Sequence, residues 1–168
     1  MSSVTVVQLS DTHFLEPGSA PEGGGAYDTS AAFEAVLDDL GRRARPDVVV
    51  VTGDVADHGR PEQYRLAADS LSRLPGPVNV CPGNHDRAIP FTVGLGRPGL
   101  STSRVIDVGP WAMVFVDSCA GLLRPDDAGL PVDPPGDERL HCEGLLGTAE
   151  VSWVRQVVAA SAAEHVFV

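Results

Sequence analysis

The sequence predicts an α/β fold built around a parallel sheet. Three short apolar segments, residues 4–9, 47–52 and 78–81, are typical of strands, and helical periodicity separates each from the next. The order β-α-β-α-β favours parallel strands with covering helices. Four consecutive valines at 48–51 support this prediction, because an uninterrupted apolar run is typical of a strand buried on both faces.

Two helices are predicted between these strands. The first spans residues 30–40, and Gly41 suits its C-terminal end. Its apolar side chains recur at helical spacing and form the expected inward face: Phe33, Val36, Leu37 and Leu40. The second helix begins near Pro61, a favourable first-turn residue, and ends before Pro75. Its expected inward face consists of Tyr64, Ala67, Ala68, Leu71 and Leu74.

The organisation changes after the third strand. Residues 104–108 and 111–118, joined by a Gly109-Pro110 turn, predict an antiparallel hairpin. Residues 119–147 contain several prolines and little periodicity, and they predict a long irregular segment. The chain is therefore expected to add an antiparallel unit to its parallel sheet.

The C-terminal part predicts one more helix and one more strand. The helix covers residues 148–160, with Val151, Val154 and Val158 facing inward, and residues 165–168 open the strand. Neither a repeat nor a linker divides the chain. We therefore expect a single domain over residues 1–168, incomplete at its C-terminus.

Composition and charge restrict the classes of function. The 168 residues carry a formal net charge of −11 without a single lysine, so the surface repels phosphate backbones and nucleic-acid binding is disfavoured. No apolar stretch approaches the roughly 20 residues of a membrane helix, and the N-terminus lacks signal-peptide features. We expect a cytoplasmic protein with no membrane contact. The three widely spaced cysteines, Cys81, Cys119 and Cys142, are interpreted as reduced thiols.

Polar side chains follow each of the three predicted parallel strands. Asp11 and His13 follow the first strand, Asp54 the second, and Asn84 and His85 the third. Functional groups collect at the carboxyl ends of strands in open parallel sheets, so these side chains are expected on one rim. Carboxylate, imidazole and amide oxygen together suit Mn, Fe or Zn ions. A carboxylate can bridge two such ions, which together clamp a phosphate and hold a hydroxide for in-line attack.

Each of these motifs also has an ordinary structural interpretation. A lone Asp-x-His occurs by chance, GDxxD can be a polar turn after a strand, and GNHD can be an asparagine-rich turn. His141, Cys142 and Glu143 could form a ligand set, although a solvated loop is the favoured interpretation of that segment. The three early motifs occur in order, each after a predicted strand, and this combination favours a metal site.

The stretches "SDTH", "TGDVADHG" and "PGNHD" resemble the first three motif blocks of the calcineurin-like metallophosphoesterases. These motif sequences are most similar to those of the bacterial class III cyclic-nucleotide phosphodiesterase branch. The resemblance implies two stacked sheets flanked by helices, a four-layer αββα sandwich, of which only the N-terminal part is expected here. It also implies two divalent or trivalent metal ions.

The resemblance further implies a role for each motif residue. Asp11 and His13 would hold one metal, Asp54 would bridge both metals, and Asn84 would bind the second. His85 would face the scissile phosphate as a leaving-group acid or a charge stabiliser. Among the flanking positions, Asp57 would orient His85. His58 stands where the phosphoprotein-phosphatase relatives have an arginine. Asp86 is interpreted as loop structure.

In members of this family, the second half of the chain supplies three further histidines: one follows a later strand, and two belong to a GHxH motif. This sequence contains neither motif. We therefore expect a truncated piece of a longer enzyme, with a weakly held second metal and little or no activity by itself. The hairpin near 104–117 would then expose apolar surface, which predicts aggregation or pairing with a second chain as a homodimer.

The leading functional hypothesis is a metal-dependent phosphodiesterase acting on small phosphorylated substrates such as cyclic nucleotides. A phosphomonoesterase or an exonuclease of the same superfamily is the second hypothesis, although the nuclease branch usually has Trp where this chain has Thr12. A non-catalytic interaction scaffold is the third. The intact early motifs favour an enzyme lineage over a scaffold.

Overall fold

The computed structural model describes residues 3–21, 24–25, 28–43, 45–95, 103–119, 124–125, 131–132 and 144–168. The elements are, in chain order, β1 (Val6–Leu9), α1 (Thr29–Gly41), β2 (Val48–Thr52), α2 (Pro61–Leu71), β3 (Val78–Cys81), α3 (Ala88–Gly94), β4 (Arg104–Val108), β5 (Trp111–Phe115), β6 (Arg124–Pro125), β7 (Pro131–Val132), α4 (Thr148–Ala160) and β8 (His165–Phe167).

The parallel sheet is confirmed, with strand order β1-β2-β3 and β2 at its centre. The valines of β2 are buried on both faces, as the apolar run predicts. Val49 and Val51 belong to the larger core with side chains of α1 and α2. Val48 and Val50 face the other way and cluster with Met113 of β5. The central strand therefore carries the packing on both sides of the sheet.

A second sheet has the strand order β4-β5-β8. The predicted hairpin is confirmed, with β4 antiparallel to β5, and β8 adds to β5 in parallel. Met113 and Phe115 of β5 are buried in the cluster that they share with β2. The hairpin thus covers the face of β2 that the helices leave open.

Two predicted inward positions are wrong. Val36 of α1 is 38% exposed and Val158 of α4 is 41% exposed, whereas Phe33 and Leu37 of α1 are buried. A helical repeat identifies an apolar stripe, but the width of the partner surface decides how much of the stripe is covered. In α4 no residue is fully buried by its described surroundings.

The short helix α3 was not expected from the sequence. Seven residues are too few for a clear periodicity, and Pro90 is compatible with the first helical turn. Phe91 of α3 is buried, and its ring lies edge-on to that of Tyr64 with 5.7 Å between centroids. Tertiary packing on α2 therefore stabilises this helix.

Several other expectations have mixed outcomes. Cys81 and Cys119 are free thiols, as predicted, and Cys142 lies outside the described residues. The predicted irregular segment 119–147 contains the short ladder of β6 with β7, and most of it lies outside the described residues. In the part of the chain that the structure describes, no helix has the length and apolarity needed to cross a membrane.

Asp86 is completely buried and connects three parts of the fold. Its Oδ2 accepts hydrogen bonds from the backbone N–H groups of Val55 (3.0 Å) and Gly83 (2.9 Å). Its Oδ1 accepts from the Ala56 N–H and from the Tyr64 hydroxyl, both at 3.0 Å. Burial raises the pKa of Asp86 to about 6, while the four hydrogen bonds act in the opposite direction. The loops after β2 and β3 are thereby tied to each other and to α2.

We expect Asp86→Asn to lower the free energy of unfolding by about 2–4 kcal/mol. The amide NH₂ group replaces one of the two acceptor oxygens, so the buried N–H or O–H groups that donated to that oxygen lose their partner. Urea unfolding followed by circular dichroism measures the change. Asp69→Asn is the matched control, because Asp69 is an exposed side chain on α2. Equal stability of the two variants would contradict this account of Asp86.

Candidate metal centre

The segments that follow β1 and β2 continue side by side beyond the sheet. The Asp11 N–H donates to the Gly53 carbonyl (3.2 Å), and the His13 N–H donates to the Asp54 carbonyl (2.8 Å). A bridge between Phe14 and Ala56 ends this pairing. Backbone hydrogen bonds therefore place the two sequence motifs next to each other, as expected from the parallel strand order.

Asp11, His13 and Asp54 have left-handed backbone conformations, with φ values of 55°, 41° and 47°. Among the described residues other than glycine, no other residue has a positive φ. Each such conformation costs on the order of 1 kcal/mol or more and persists only where the surroundings enforce it. This strain coincides with three of the residues predicted as metal ligands.

The same three side chains converge on one point. One ligand atom from each of Asp11, His13 and Asp54 lies within 4.8 Å of the others. His13 Nε2 is 3.8 Å from Asp54 Oδ2, and the Asp11 side chain is exposed to solvent. Two carboxylates and one imidazole suit Mn, Fe or Zn ions, so the donor set fits the metal that the sequence predicts.

Asn84 lines a cavity of about 330 Å³ together with Asp11 and Asp54. The structure thus brings all four predicted ligands to one rim of the sheet, with His13 beside the cavity through its contact with Asp54. Asn84 therefore shares a cavity with the two carboxylates, and its amide oxygen is a neutral donor that suits such a site.

The Asp57 carboxylate contacts the ring of His13. Asp57 is 1% exposed, and its Oδ1 is 2.9 Å from Nδ1 of His13. A carboxylate accepts at this distance, so Nδ1 of His13 carries the hydrogen and Nε2 presents its lone pair toward Asp54. The predicted link between Asp57 and His85 is present as well: the Asp57 carbonyl lies 2.7 Å from His85 Nδ1, and ligand atoms of His13, Asp57 and His85 lie within 4.8 Å of one another.

His85 contacts both acidic residues of the second motif. Its N–H donates to Asp54 Oδ1 (3.0 Å), and its ring Nδ1 donates to the backbone carbonyl of Asp57 (2.7 Å). The carbonyl can only accept, so Nδ1 carries a hydrogen. Nε2 is then the ring nitrogen that is available to exchange a proton. The rings of His85 and His13 lie edge to face, 4.7 Å apart.

Sequence reasoning missed several residues around the cavity. The Ser10 hydroxyl contacts both the Asp11 carboxylate and the Thr52 carbonyl (2.9 Å). Its position directly before Asp11, at the end of a strand, is a signal that could have been used. Val116 and Ser118 also line the cavity from the segment after β5, and no local pattern predicts that approach.

Two further histidine positions of the sequence, His141 and His165, add no ligand to this cluster among the described residues. His165 pairs with Trp111 at the start of β5, where their rings stack 4.4 Å apart. His141, Cys142 and Glu143 lie outside the described residues.

Gly83 has no room for a side chain. A Cβ at this position would approach the Asp54 backbone nitrogen to 2.5 Å and would overlap the Asp54 carboxylate. A glycine at this strand end agrees with the sequence, which predicts a sharp backbone turn beside the metal site where a Cβ would obstruct. Gly83 therefore fixes how close the loops after β2 and β3 can come.

We expect Gly83→Ala to weaken Mn²⁺ binding by about 100-fold or more, because the new methyl group must displace the Asp54 carboxylate. Isothermal titration calorimetry with Mn²⁺ measures the affinity. Gly41→Ala is the control, because a Cβ there meets no atom within 4 Å. An unchanged affinity in Gly83→Ala would show that the placement of Asp54 does not control metal binding.

Comparison with known proteins agrees with this geometry. The family model described as calcineurin-like phosphoesterase matches residues 4–134. Glycerophosphodiester phosphodiesterase GpdQ of Enterobacter lignolyticus is 35% identical over 121 residues, which are 67% of this chain and 43% of that protein. The 3',5'-cyclic adenosine monophosphate phosphodiesterase CpdA of Pseudomonas aeruginosa is 34% identical over 119 residues, which are 70% of this chain and 42% of that protein.

The chain spans less than half the length of these two relatives. A solved structure of the purple acid phosphatase PPD1 from yellow lupin matches 96% of this chain and 28% of its own, with a TM-score of 0.51 and 15% identity. That likeness concerns the fold alone. The family match covers most of the chain and includes all three motifs, and on this basis the chain belongs to the calcineurin-like phosphoesterase family.

Proposed function

We propose that the protein is a metal-dependent phosphodiesterase that acts on small phosphodiesters, with cyclic nucleotides and glycerophosphodiesters as the substrate classes to test. The observation that carries the proposal is the convergence of ligand atoms from Asp11, His13 and Asp54 within 4.8 Å. The two relatives described above are named as phosphodiesterases of these two kinds. Asn84 and His85 extend the same rim.

In this proposal Asp11 and His13 hold one metal, Asp54 is shared by both metals, and Asn84 binds the second. The metals would supply positive charge for the phosphate and a nucleophile from water. Asp54 suits the shared position, because the His85 N–H holds Oδ1 (3.0 Å) while Oδ2 lies toward His13 (3.8 Å). One oxygen of the Asp54 carboxylate is therefore held by a hydrogen bond, while the other lies on the side of His13.

His85 is proposed as the group that faces the scissile phosphate. Its Nδ1 hydrogen is donated to the Asp57 carbonyl, so the ring cannot rotate without losing that bond. In the imidazolium form Nε2 would also carry a hydrogen, which it could donate as a proton or a hydrogen bond to the leaving-group oxygen. Asp57 is proposed as a positioning residue that holds His85 through its carbonyl and His13 through its carboxylate.

The charge of the chain favours small substrates. A net charge of −11 repels a polyanionic nucleic acid, whereas one phosphodiester can be neutralised locally by the metals. The larger αββα layering also remains part of this proposal. It is supported by the two apolar clusters on opposite faces of β2, one with α1 and α2 and the other with β4 and β5.

We expect Asp54→Asn to reduce Mn²⁺-dependent hydrolysis of bis(p-nitrophenyl) phosphate by about 100-fold or more, because one ligand of both metals loses its charge. Cyclic AMP and glycerophosphocholine are assayed in parallel to separate the two substrate classes. Asp107→Asn is the control, since Asp107 is exposed on β4. A measurable turnover that is equal in both variants, or a strong preference for p-nitrophenyl phosphate, would contradict the phosphodiesterase proposal.

We expect this 168-residue chain to bind about one Mn²⁺ tightly and a second one weakly, because two protein ligands, Asp54 and Asn84, hold a divalent ion poorly. Its turnover should be correspondingly low. Equilibrium dialysis followed by elemental analysis measures the stoichiometry. Two tightly bound ions together with rapid hydrolysis would contradict the proposed ligand set.

A further inference from the structure

We propose that His58 is a positioning residue of the metal centre, which acts on His13 through the Asp57 carboxylate. The inference rests on the proposed function insofar as His13 is a metal ligand. Neither the family resemblance nor the sequence pattern assigns a role to His58, which stands where related phosphatases have an arginine. Three side-chain contacts and the anchoring of the His58 backbone support this role.

The His58 ring lies between two acceptors. Its Nε2 is 3.1 Å from the Ala20 carbonyl oxygen and 3.3 Å from Oδ2 of Asp57. Neither acceptor can donate when Asp57 is ionised, so Nε2 must carry the hydrogen. The single Nε2 hydrogen of His58 is therefore shared between the Ala20 carbonyl and Oδ2 of Asp57, whereas Oδ1 of Asp57 contacts His13.

Asp57 is thus held between two imidazole rings. Oδ1 lies 2.9 Å from Nδ1 of His13, and Oδ2 faces Nε2 of His58. The carboxylate is 1% exposed, so water contributes little to holding its orientation. Its rotation is restricted by donors on both sides, and this orientation sets which nitrogen of His13 carries the hydrogen.

The backbone of His58 is itself fixed by a buried side chain. Gln63, which has no exposed surface, accepts the His58 N–H at Oε1 (2.9 Å) and the Arg60 N–H at the same oxygen (3.2 Å). Its amide nitrogen donates to Glu16 (2.9 Å). The start of α2 and the loop after β1 thus hold His58 from two directions.

The consequence is a continuous series of contacts from the loop after β1 to the metal site. It runs from the Ala20 carbonyl through His58 and Asp57 to Nδ1 of His13. The other ring nitrogen of His13, Nε2, then points toward Asp54. A partner that orients a metal-binding histidine typically contributes about 10–100-fold in metal affinity. His58 acts on the metal ligand His13 through Asp57 and does not contact it directly, so we expect an effect at the lower end of that range.

We expect His58→Leu to weaken Mn²⁺ binding by about 10-fold. We expect His58→Gln to stay within about 3-fold of the unchanged protein, because its amide N–H can reach both acceptors. His165→Leu, a change in β8 beside Trp111, is the control and should bind like the unchanged protein. Calorimetric titration measures the affinities, and thermal unfolding records the stability of each variant.

A second measurement needs neither metal nor substrate. Long-range ¹H–¹⁵N correlation spectra of the metal-free protein report which nitrogen of His13 carries the hydrogen. The unchanged protein and His58→Gln should show the Nδ1–H form, whereas His58→Leu should show a mixture of the two forms. If His58→Leu does not fold, His58→Asn replaces it, because its shorter amide cannot reach both acceptors.

The inference is overturned if the His13 spectrum is the same in His58→Leu and the unchanged protein. It is also overturned if His58→Gln loses as much affinity as His58→Leu, since the ring would then act only through its shape. A changed His13 spectrum in a chain that hydrolyses no phosphodiester would support the role of His58 and refute the proposed function alone. An active enzyme with an unchanged spectrum would refute the role of His58 alone.

Discussion

The geometry of the candidate metal centre depends on one buried carboxylate, that of Asp86. It accepts three backbone hydrogen bonds from the loops after β2 and β3 and a fourth from the Tyr64 hydroxyl of α2. Removing a charge from water is costly, and four donors offset that cost. The loops that carry Asp54 and Asn84 are consequently held at one separation. Gly83 allows this separation to be short, because a larger residue would overlap Asp54.

The site contains strain and repulsion that the rest of the fold offsets. Asp11, His13 and Asp54 occupy left-handed conformations, and backbone hydrogen bonds between their loops keep them there. The carboxylates of Asp11 and Asp54 come close enough to share a cation, so without one they repel each other. A divalent ion would reverse the sign of that interaction. This arrangement is typical of a site shaped for binding rather than for stability of the fold.

His13 and His85 contact different acceptor groups of Asp57. His13 is beside the carboxylate, and His85 donates to the backbone carbonyl of the same residue. One buried residue can therefore orient a proposed metal ligand and a proposed proton donor at once. Because both rings are fixed through Nδ1, both leave Nε2 for chemistry. The neighbouring His58 connects this arrangement to the loop after β1.

The sequence by itself determined the parallel strands, the hairpin, helices α1, α2 and α4, and the common rim of the four residues predicted as ligands. These features are local: apolar periodicity specifies which side of an element is buried, and a polar cluster after each parallel strand must lie at the same rim. The exposure of Val36 and Val158 was decided by the tertiary structure, because coverage depends on the partner surface. The partners of Asp57 and Asp86 were likewise decided there, since their hydrogen bonds join segments that are distant in the chain. A sequence pattern identifies a carboxylate, but only the packing of three loops against one another determines which donors reach it.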